Sequence, residues 1–224
     1  LVSNDAYLTS VWEMNNAVAE RYNNPGTFTS LIGYEWTSQP GGGNLHRVVI
    51  FRDDKALTDR ILPFSAFDSE DVEDLWAFMA AYESQLGGRV LAIPHNGNLS
   101  SGTMFLPQHQ KSRMAIDADY ARMRQRFEPI TEVTQAKGTG ETHPLLSPED
   151  EFANFNIVDN SNLGGIKPTT PEMIPYEYAR EALRRGLQLE QQLGVNPFKF
   201  GLIGSTDSHS SLPSTAEDNW WGKS

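Results

Sequence analysis

The stretch FKFGLIGSTDSHS, residues 198–210, joins a short apolar run to a loop that carries an aspartate and a histidine. A run with so few polar residues is typical of a strand that is buried on both faces. Asp207 and His209 follow two positions apart, so in extended chain their side chains point the same way. Carboxylate oxygen and imidazole nitrogen both bind Zn²⁺, Mn²⁺ or Fe²⁺. An isolated D-x-H pair also fits an ordinary surface loop.

Segments of the same kind recur along the chain. Hydrophobic spacing predicts helices over 5–21, 69–88, 117–127 and 175–194, with Ser69 as an N-cap and Gly87 and Gly194 as stops. β-rich apolar runs predict strands within 27–36, 45–51, 89–95, 129–135 and 198–204. Such alternation predicts an α/β fold with a mostly parallel sheet or barrel. Residues 137–173 show no sustained period and are predicted to form a long functional loop.

Composition limits the chemistry. The 224 residues include no cysteine, which excludes disulfides and leaves His, Asp and Glu as metal ligands. A net charge of -11 disfavours nucleic acid as a partner. No apolar run approaches the roughly 18 residues of a membrane span, so we expect no membrane partner. Compartment and oligomeric state are not determined by these features.

Ligand-capable side chains lie near the ends of the predicted strands. Since ligands gather beyond the carboxyl ends of strands in parallel α/β folds, we expect these groups to converge. The predicted metal ligands are Glu35, His46, His95, Asp207 and His209, and Glu132 lies in a further strand. Two alternatives stay open: Glu35 could form a salt bridge with Arg47, and single histidines could be core or loop residues.

Several longer blocks resemble a known family. They are FTSLIGYEWT (28–37), HRVVIF (46–51), AIPHNGNLSSG (92–102), EVTQAKGTGETHPLLSPEDEFA (132–153) and GLIGSTDSHSSLPSTAEDNWWGK (201–223). In this order they resemble DUF3604, a family placed in the PHP (polymerase and histidinol phosphatase) superfamily of metal-dependent hydrolases. The resemblance implies a distorted (β/α)7 barrel that holds two or three divalent metals, such as Zn, Mn or Fe.

The resemblance also implies roles for single residues. Glu35 matches a glutamate that bridges two metals, His46 and His95 match histidines on the next strands, and Asp207 with His209 matches the closing D-x-H. PHP proteins begin with an H-x-H strand, but no histidine precedes His46 here. We therefore expect residues 1–224 to be one PHP-like domain whose first strands are absent, with 137–173 inserted near the active-site face. In this form we expect weak metal binding and little activity.

The function that follows is that of a metal-dependent hydrolase, with a phosphoesterase acting on a small anionic ester as the first expectation. Glu35 would bridge two metals that hold an attacking hydroxide. His209 or His143 would transfer a proton, and Lys137, with Arg47, would stabilise developing charge. The alternatives are a hydrolase of sulfate esters, amides or lactams, or a noncatalytic module that binds metal or a small ligand.

Overall fold

The computed structural model describes residues 5–210 and 216–219, which form a mixed α/β structure with two three-stranded sheets. The helices are α1 (Asp5–Tyr22), α2 (Lys55–Thr58), α3 (Val72–Leu86), α4 (Ala118–Phe127) and α5 (Ala179–Leu193). The strands are β1 (Ile32–Trp36), β2 (Arg47–Phe51), β3 (Val90–Pro94), β4 (Ile130–Gln135), β5 (Gly138–Thr139) and β6 (Gly201–Gly204). The four long predicted helices and the five predicted strands are all present, but the prediction that the last strand is buried on both faces is wrong, since Gly201, Leu202 and Gly204 of β6 are exposed and Ile203 is half-buried.

Helix ends follow local chemistry. Gly87 ends α3 with a φ of 73°, a left-handed conformation that glycine adopts without steric cost. The predicted N-cap Ser69 is wrong, because Asp71 caps α3 by accepting the backbone N–H of Glu73. The Ser69 hydroxyl instead donates to Asp74, in the first turn of the helix.

The first sheet has the order β1-β2-β3, and both pairs are antiparallel. Its buried face carries Trp36, Val49 and Ala92, all fully buried, and packs into a core with α1 and α3. Glu35 neighbours Trp36 in β1, so its side chain points to the opposite face. That opposite face holds the candidate site.

The second sheet has the order β5-β4-β6, in which β4 and β6 are parallel and β4 and β5 are antiparallel. β4 also runs beside β3, and the Thr131 hydroxyl donates to the Pro94 carbonyl over 3.2 Å. The β4–β6 register shifts between Glu132 and Thr134, which makes Val133 an extra residue. The second sheet thereby brings the end of β6 close to the end of β3.

The predicted (β/α)7 barrel is wrong. In the described part of the chain the two sheets are open, and β4–β6 is the one parallel strand pair. The misleading signal comes from β2, where Val48 and Ile50 are half-buried although they face away from the main core. With apolar residues on both faces, an antiparallel strand has the continuous pattern expected of a parallel one.

Two further expectations concern the long loop and the membrane. Residues 137–173 contain β5 and are otherwise irregular, and Asn98 Nδ2 ties this segment down by donating to the carbonyls of Lys137 and Val158. Residues 211–215 and 220–223, at the end of the last resemblance block, lie outside the described residues. Among the described helices, none has the length and apolar character needed to cross a membrane.

Candidate metal centre

Glu35, His46 and His95 form a first triad on the open face of the first sheet. Glu35 Oε1 lies 2.8 Å from His46 Nδ1 and 3.0 Å from His95 Nε2. The register accounts for this contact: because Arg47 pairs with Pro94, the preceding His46 lies opposite the following His95. Glu35 pairs with Val48, which places it diagonally across from His46 on the same face.

A second triad joins Glu35 to the loop after β6. Glu35, Asp207 and His209 each offer one ligand atom, and these atoms lie within 4.8 Å of one another, as do those of the first triad. His209 Nε2 is 3.1 Å from Asp207 Oδ1. The structure therefore brings all five predicted ligands together, and Glu35 belongs to both triads.

The donor set fits a divalent metal of the Zn²⁺, Mn²⁺ or Fe²⁺ type, since it combines imidazole nitrogens with carboxylate oxygens. Each imidazole of the first triad has one nitrogen at Glu35 and a second, buried nitrogen: His46 Nε2 and His95 Nδ1 have no hydrogen-bond partner within 5–210 and 216–219. The rings therefore satisfy only half of their polar atoms through the protein, an unusual state for buried groups. His209 is 48% exposed and lies on the solvent side of the cluster.

The carboxylates of Glu35 and Asp207 are both held in the ionised form that metal binding requires. Burial opposes ionisation of Glu35, but hydrogen bonds from His46 and His95 hold its pKa well below the ordinary range. For Asp207, burial is again outweighed, here by hydrogen bonds from Lys137 and Gln135, which lower the pKa to about 2.

The Asp207 carboxylate is bound by Lys137 and Gln135, and of these only Lys137 was predicted from the sequence. Its Oδ2 lies 2.7 Å from Lys137 Nζ and accepts from Gln135 Nε2 over 2.8 Å. Lys137 is thus beside the cluster, as predicted, but as the ion-pair partner of a ligand. Gln135 was not predicted, and the only sequence signal for it is a polar side chain at a strand end.

Glu132 is a further carboxylate that the structure adds to this region. It is buried, and its Oε2 accepts from the Ser205 hydroxyl over 3.0 Å. Burial raises its pKa, and the neighbouring Asp207 acts in the same direction, whereas His95 opposes the rise. The sequence placed Glu132 in a strand near the site but did not include it among the ligands.

His143, predicted as a proton-transfer residue, lies in a separate polar cluster. Its Nδ1 accepts the backbone N–H of Leu145, so Nε2 carries the proton and donates to Asp159 over 3.1 Å. In the described structure its hydrogen bonds reach none of the five clustered ligands. Glu141, two residues before His143, pairs with Arg180.

Both expectations for Arg47 are wrong. Its side chain is 1% exposed and donates from Nε to Glu128 Oε1 over 3.0 Å, on the core face of β2. It therefore neither pairs with Glu35 nor reaches a substrate. The reason is strand alternation, which sends His46 and Arg47 to opposite faces.

Comparison with known proteins agrees with the resemblance at the family level. A family model described as "Protein of unknown function (DUF3604)" matches residues 1–224. Neither the curated proteins nor the solved structures gave a match. PHP superfamily membership stays a prediction. On the full-length match, the chain belongs to the DUF3604 family.

Proposed function

We propose that this chain carries the metal centre of a PHP-type metal-dependent hydrolase, and that its substrate is a small phosphate ester. The observation that supports this most is the position of Glu35 in both triads. A carboxylate shared by two ligand sets is suited to bridge two cations, and in hydrolases such pairs hold both the attacking and the leaving oxygen. The residue-by-residue match to the PHP ligand pattern supports the same proposal.

The chain's own residues would hold the cations and exchange a proton with the substrate. A divalent cation held there would act as a Lewis acid and lower the pKa of a coordinated water toward neutrality. Glu35 and Asp207 stay ionised over the physiological range, so they can hold cations without first losing a proton. His209 is the exposed member of the cluster, and its ring nitrogen is accessible for proton exchange with a substrate oxygen.

Lys137 supports an anionic substrate. Its ammonium lies 2.7 Å from Asp207 Oδ2 and remains partly exposed, which places a positive charge at the rim of an otherwise acidic site. A phosphate ester brings negative charge to that rim and gains from the localised cation. Sulfate esters, amides and lactams remain the competing electrophiles, because one activated water serves several of them.

A noncatalytic metal-binding module is the second candidate. The observation that favours it is that Lys137 and His143 both have carboxylate partners, Asp207 and Asp159. Of the predicted proton donors, only His209 then combines exposure with a place in the cluster. This candidate predicts metal binding without turnover.

The test is a substrate screen with the purified protein loaded with Mn²⁺ or Zn²⁺, using phosphate mono- and diesters, sulfate esters and amides. Glu35→Ala and Asp207→Ala should each abolish turnover. Glu73→Ala is the matched control, because Glu73 also pairs with a histidine, His109, over 3.0 Å but outside both triads. Turnover that survives in Glu35→Ala and Asp207→Ala would contradict the proposal, and metal binding without turnover on any ester would favour the binding module.

A further inference from the structure

Glu132 and Gln135 point to the same side of β4, although they are three residues apart. In a regular strand, such residues face opposite sides of the sheet. Here Glu132 pairs with Ile203 and Thr134 with Gly204, so Val133 is an inserted residue that shifts the alternation by one. Insertions of this kind re-aim side chains, often next to active sites. The result is that Gln135 faces the metal cluster rather than the outside of the sheet.

The Gln135 amide uses both of its ends inside this cluster. Nε2 donates to Asn96 Oδ1 over 2.6 Å and to Asp207 Oδ2 over 2.8 Å. Oε1 accepts the backbone N–H of Lys137 over 3.0 Å. Because Nε2 faces two acceptors and Oε1 faces a donor, the orientation of the amide is determined by its partners. The residue is buried, with 5% exposure, which leaves little room for water to replace these bonds.

Both side-chain acceptors belong to residues with left-handed backbone. Asn96 has a φ of 50° and directly follows His95, and Asp207 has a φ of 51°. Asparagine and aspartate tolerate this region best among non-glycine residues, but it still carries a cost that surrounding contacts must offset. One amide therefore joins the two turns from which ligands of both triads project.

We propose that Gln135 is the positioning residue of the metal centre: it holds Asp207 in place and, through Asn96, sets the turn that carries His95. This inference rests on the proposed metal centre. Side chains that orient ligands through hydrogen bonds commonly change metal affinity by about 10–100-fold when they are removed. Loss of Gln135 should accordingly weaken metal binding even though it touches no cation.

The experiment compares Gln135→Met with Gln110→Met in the whole protein. Methionine keeps the length of the side chain and removes the amide. Gln110 is the matched control, since its amide also uses both ends, donating to the Glu70 carbonyl and accepting from Val72 N–H at the start of α3. Each protein is titrated with Mn²⁺ by electron paramagnetic resonance, its Co²⁺ absorption spectrum is recorded, and its Tm is measured without metal.

We expect Gln135→Met to bind Mn²⁺ at least about 10-fold more weakly than the wild type and to show an altered Co²⁺ spectrum. Gln110→Met should match the wild type in both, and the two variants should have a similar Tm. An affinity and spectrum of Gln135→Met equal to those of Gln110→Met would overturn the inference while the metal centre stands. Absence of Mn²⁺ binding by the wild type would instead contradict the metal centre itself.

A second variant covers the case in which Gln135→Met does not fold. Gln135→Asn keeps an amide but is one methylene shorter, so it cannot reach Asn96 and Asp207 together. We expect a smaller loss of Mn²⁺ affinity than for Gln135→Met, with a shifted Co²⁺ spectrum. Wild-type affinity and spectrum in this variant would likewise overturn the inference.

Discussion

Glu128 and Glu35 each contact two basic side chains, which are arginines at Glu128 and histidines at Glu35. Glu128 is 1% exposed at its side chain, accepts from Arg47 Nε over 3.0 Å, and lies 3.2 Å from Arg124 Nε. Trp76 Nε1 also donates to it over 3.1 Å. Glu35 is 23% exposed, and its partners are His46 and His95.

The difference lies in whether the partners can change their charge. Arginine keeps its charge at every accessible pH and has no lone pair to offer a metal, so the Glu128 cluster is a closed electrostatic unit. A histidine ring can release a proton and offer the freed nitrogen lone pair to a cation, which leaves the Glu35 cluster able to accept a metal. The same residue type is thus surrounded by fixed charges in one place and by side chains that could bind a metal in the other.

The comparison fails if removal of the Glu128 carboxylate changes the free energy of unfolding only slightly. Glu128→Ala leaves two buried guanidinium groups without their counter-charge, and removing one partner of a buried pair costs about 3–5 kcal/mol. We expect a fall of that size in the free energy of unfolding, measured with urea. Asp119→Ala is the control, since it removes an exposed partner of Arg122 and should cost less than about 1 kcal/mol. Equal losses in the two variants would contradict the closed unit.

Glu177 sharpens the comparison because it is a fully buried glutamate with no basic partner among the described side chains. Burial, with Asp159 acting in the same direction, raises its pKa from 4.5 to about 8. A carboxyl with a raised folded-state pKa stabilises below the unfolded pKa, and that contribution is lost as pH rises to the folded value.

Between pH 5 and pH 8 we expect wild-type stability to fall relative to Glu177→Gln by about 2–4 kcal/mol, at most about 1.4 kcal/mol per pH unit. Glutamine still accepts the Gly102 N–H that Glu177 Oε1 accepts over 2.8 Å. Urea unfolding at several pH values measures the difference. Parallel pH profiles for the two proteins would show that Glu177 ionises normally.

The smallest change in stability should accompany Glu35→Gln. Glutamine keeps a side-chain oxygen that can accept a hydrogen bond from either histidine, so we expect a change below about 1 kcal/mol in the free energy of unfolding without metal. Mn²⁺ affinity, measured by calorimetric titration, should fall at least about 100-fold, more than for the loss of an outer hydrogen bond.

Glu73→Gln is the control for this prediction, because it disrupts a glutamate–histidine pair with no third ligand. It should leave Mn²⁺ affinity unchanged. A Glu35→Gln protein that keeps its affinity, or loses stability on the scale of Glu128→Ala, would remove the distinction between the two clusters.

The positions of the long helices and of the strands, and the five side chains that cluster, could be predicted from sequence, but the topology could not. Helix stops at Gly87 and Gly194 are local signals, and both are confirmed. Strand direction is a long-range property that apolar runs do not encode. Three of the five side chains converge for a different reason than the one expected: Glu35, His46 and His95 meet because β1 and β3 end, and β2 begins, at one end of an antiparallel sheet.

His46 shows this most clearly. It precedes β2, whereas Glu35 and His95 stand at the ends of β1 and β3. In a parallel sheet the beginning of a strand lies at the opposite edge from the ends of its neighbours. A site containing all three therefore requires β2 to run against both neighbours, and the position of His46 already contradicted the barrel.

Gln135 was beyond prediction for a physical reason. Its direction depends on the inserted residue Val133, and nothing in the letters ITEVTQ marks an insertion. Asn96 and Asp207 are residue types that favour left-handed backbone, but their mutual contact through Gln135 spans β3, β4 and β6. Contacts of that kind follow from tertiary structure alone.

His46 and Arg47 are adjacent in the chain, and strand alternation places His46 on the open face of the first sheet and Arg47 in the core. A slip of β2 by one position would turn every side chain to the other face, exposing Arg47 to the open side and sending His46 into the core. Such a slip also removes Arg47 from the buried Glu128 carboxylate, which makes the misaligned state costly. Substitutions of Arg47 or Glu128 should therefore disturb the cluster on the open face by misaligning β2, even when Glu35, His46 and His95 are unchanged.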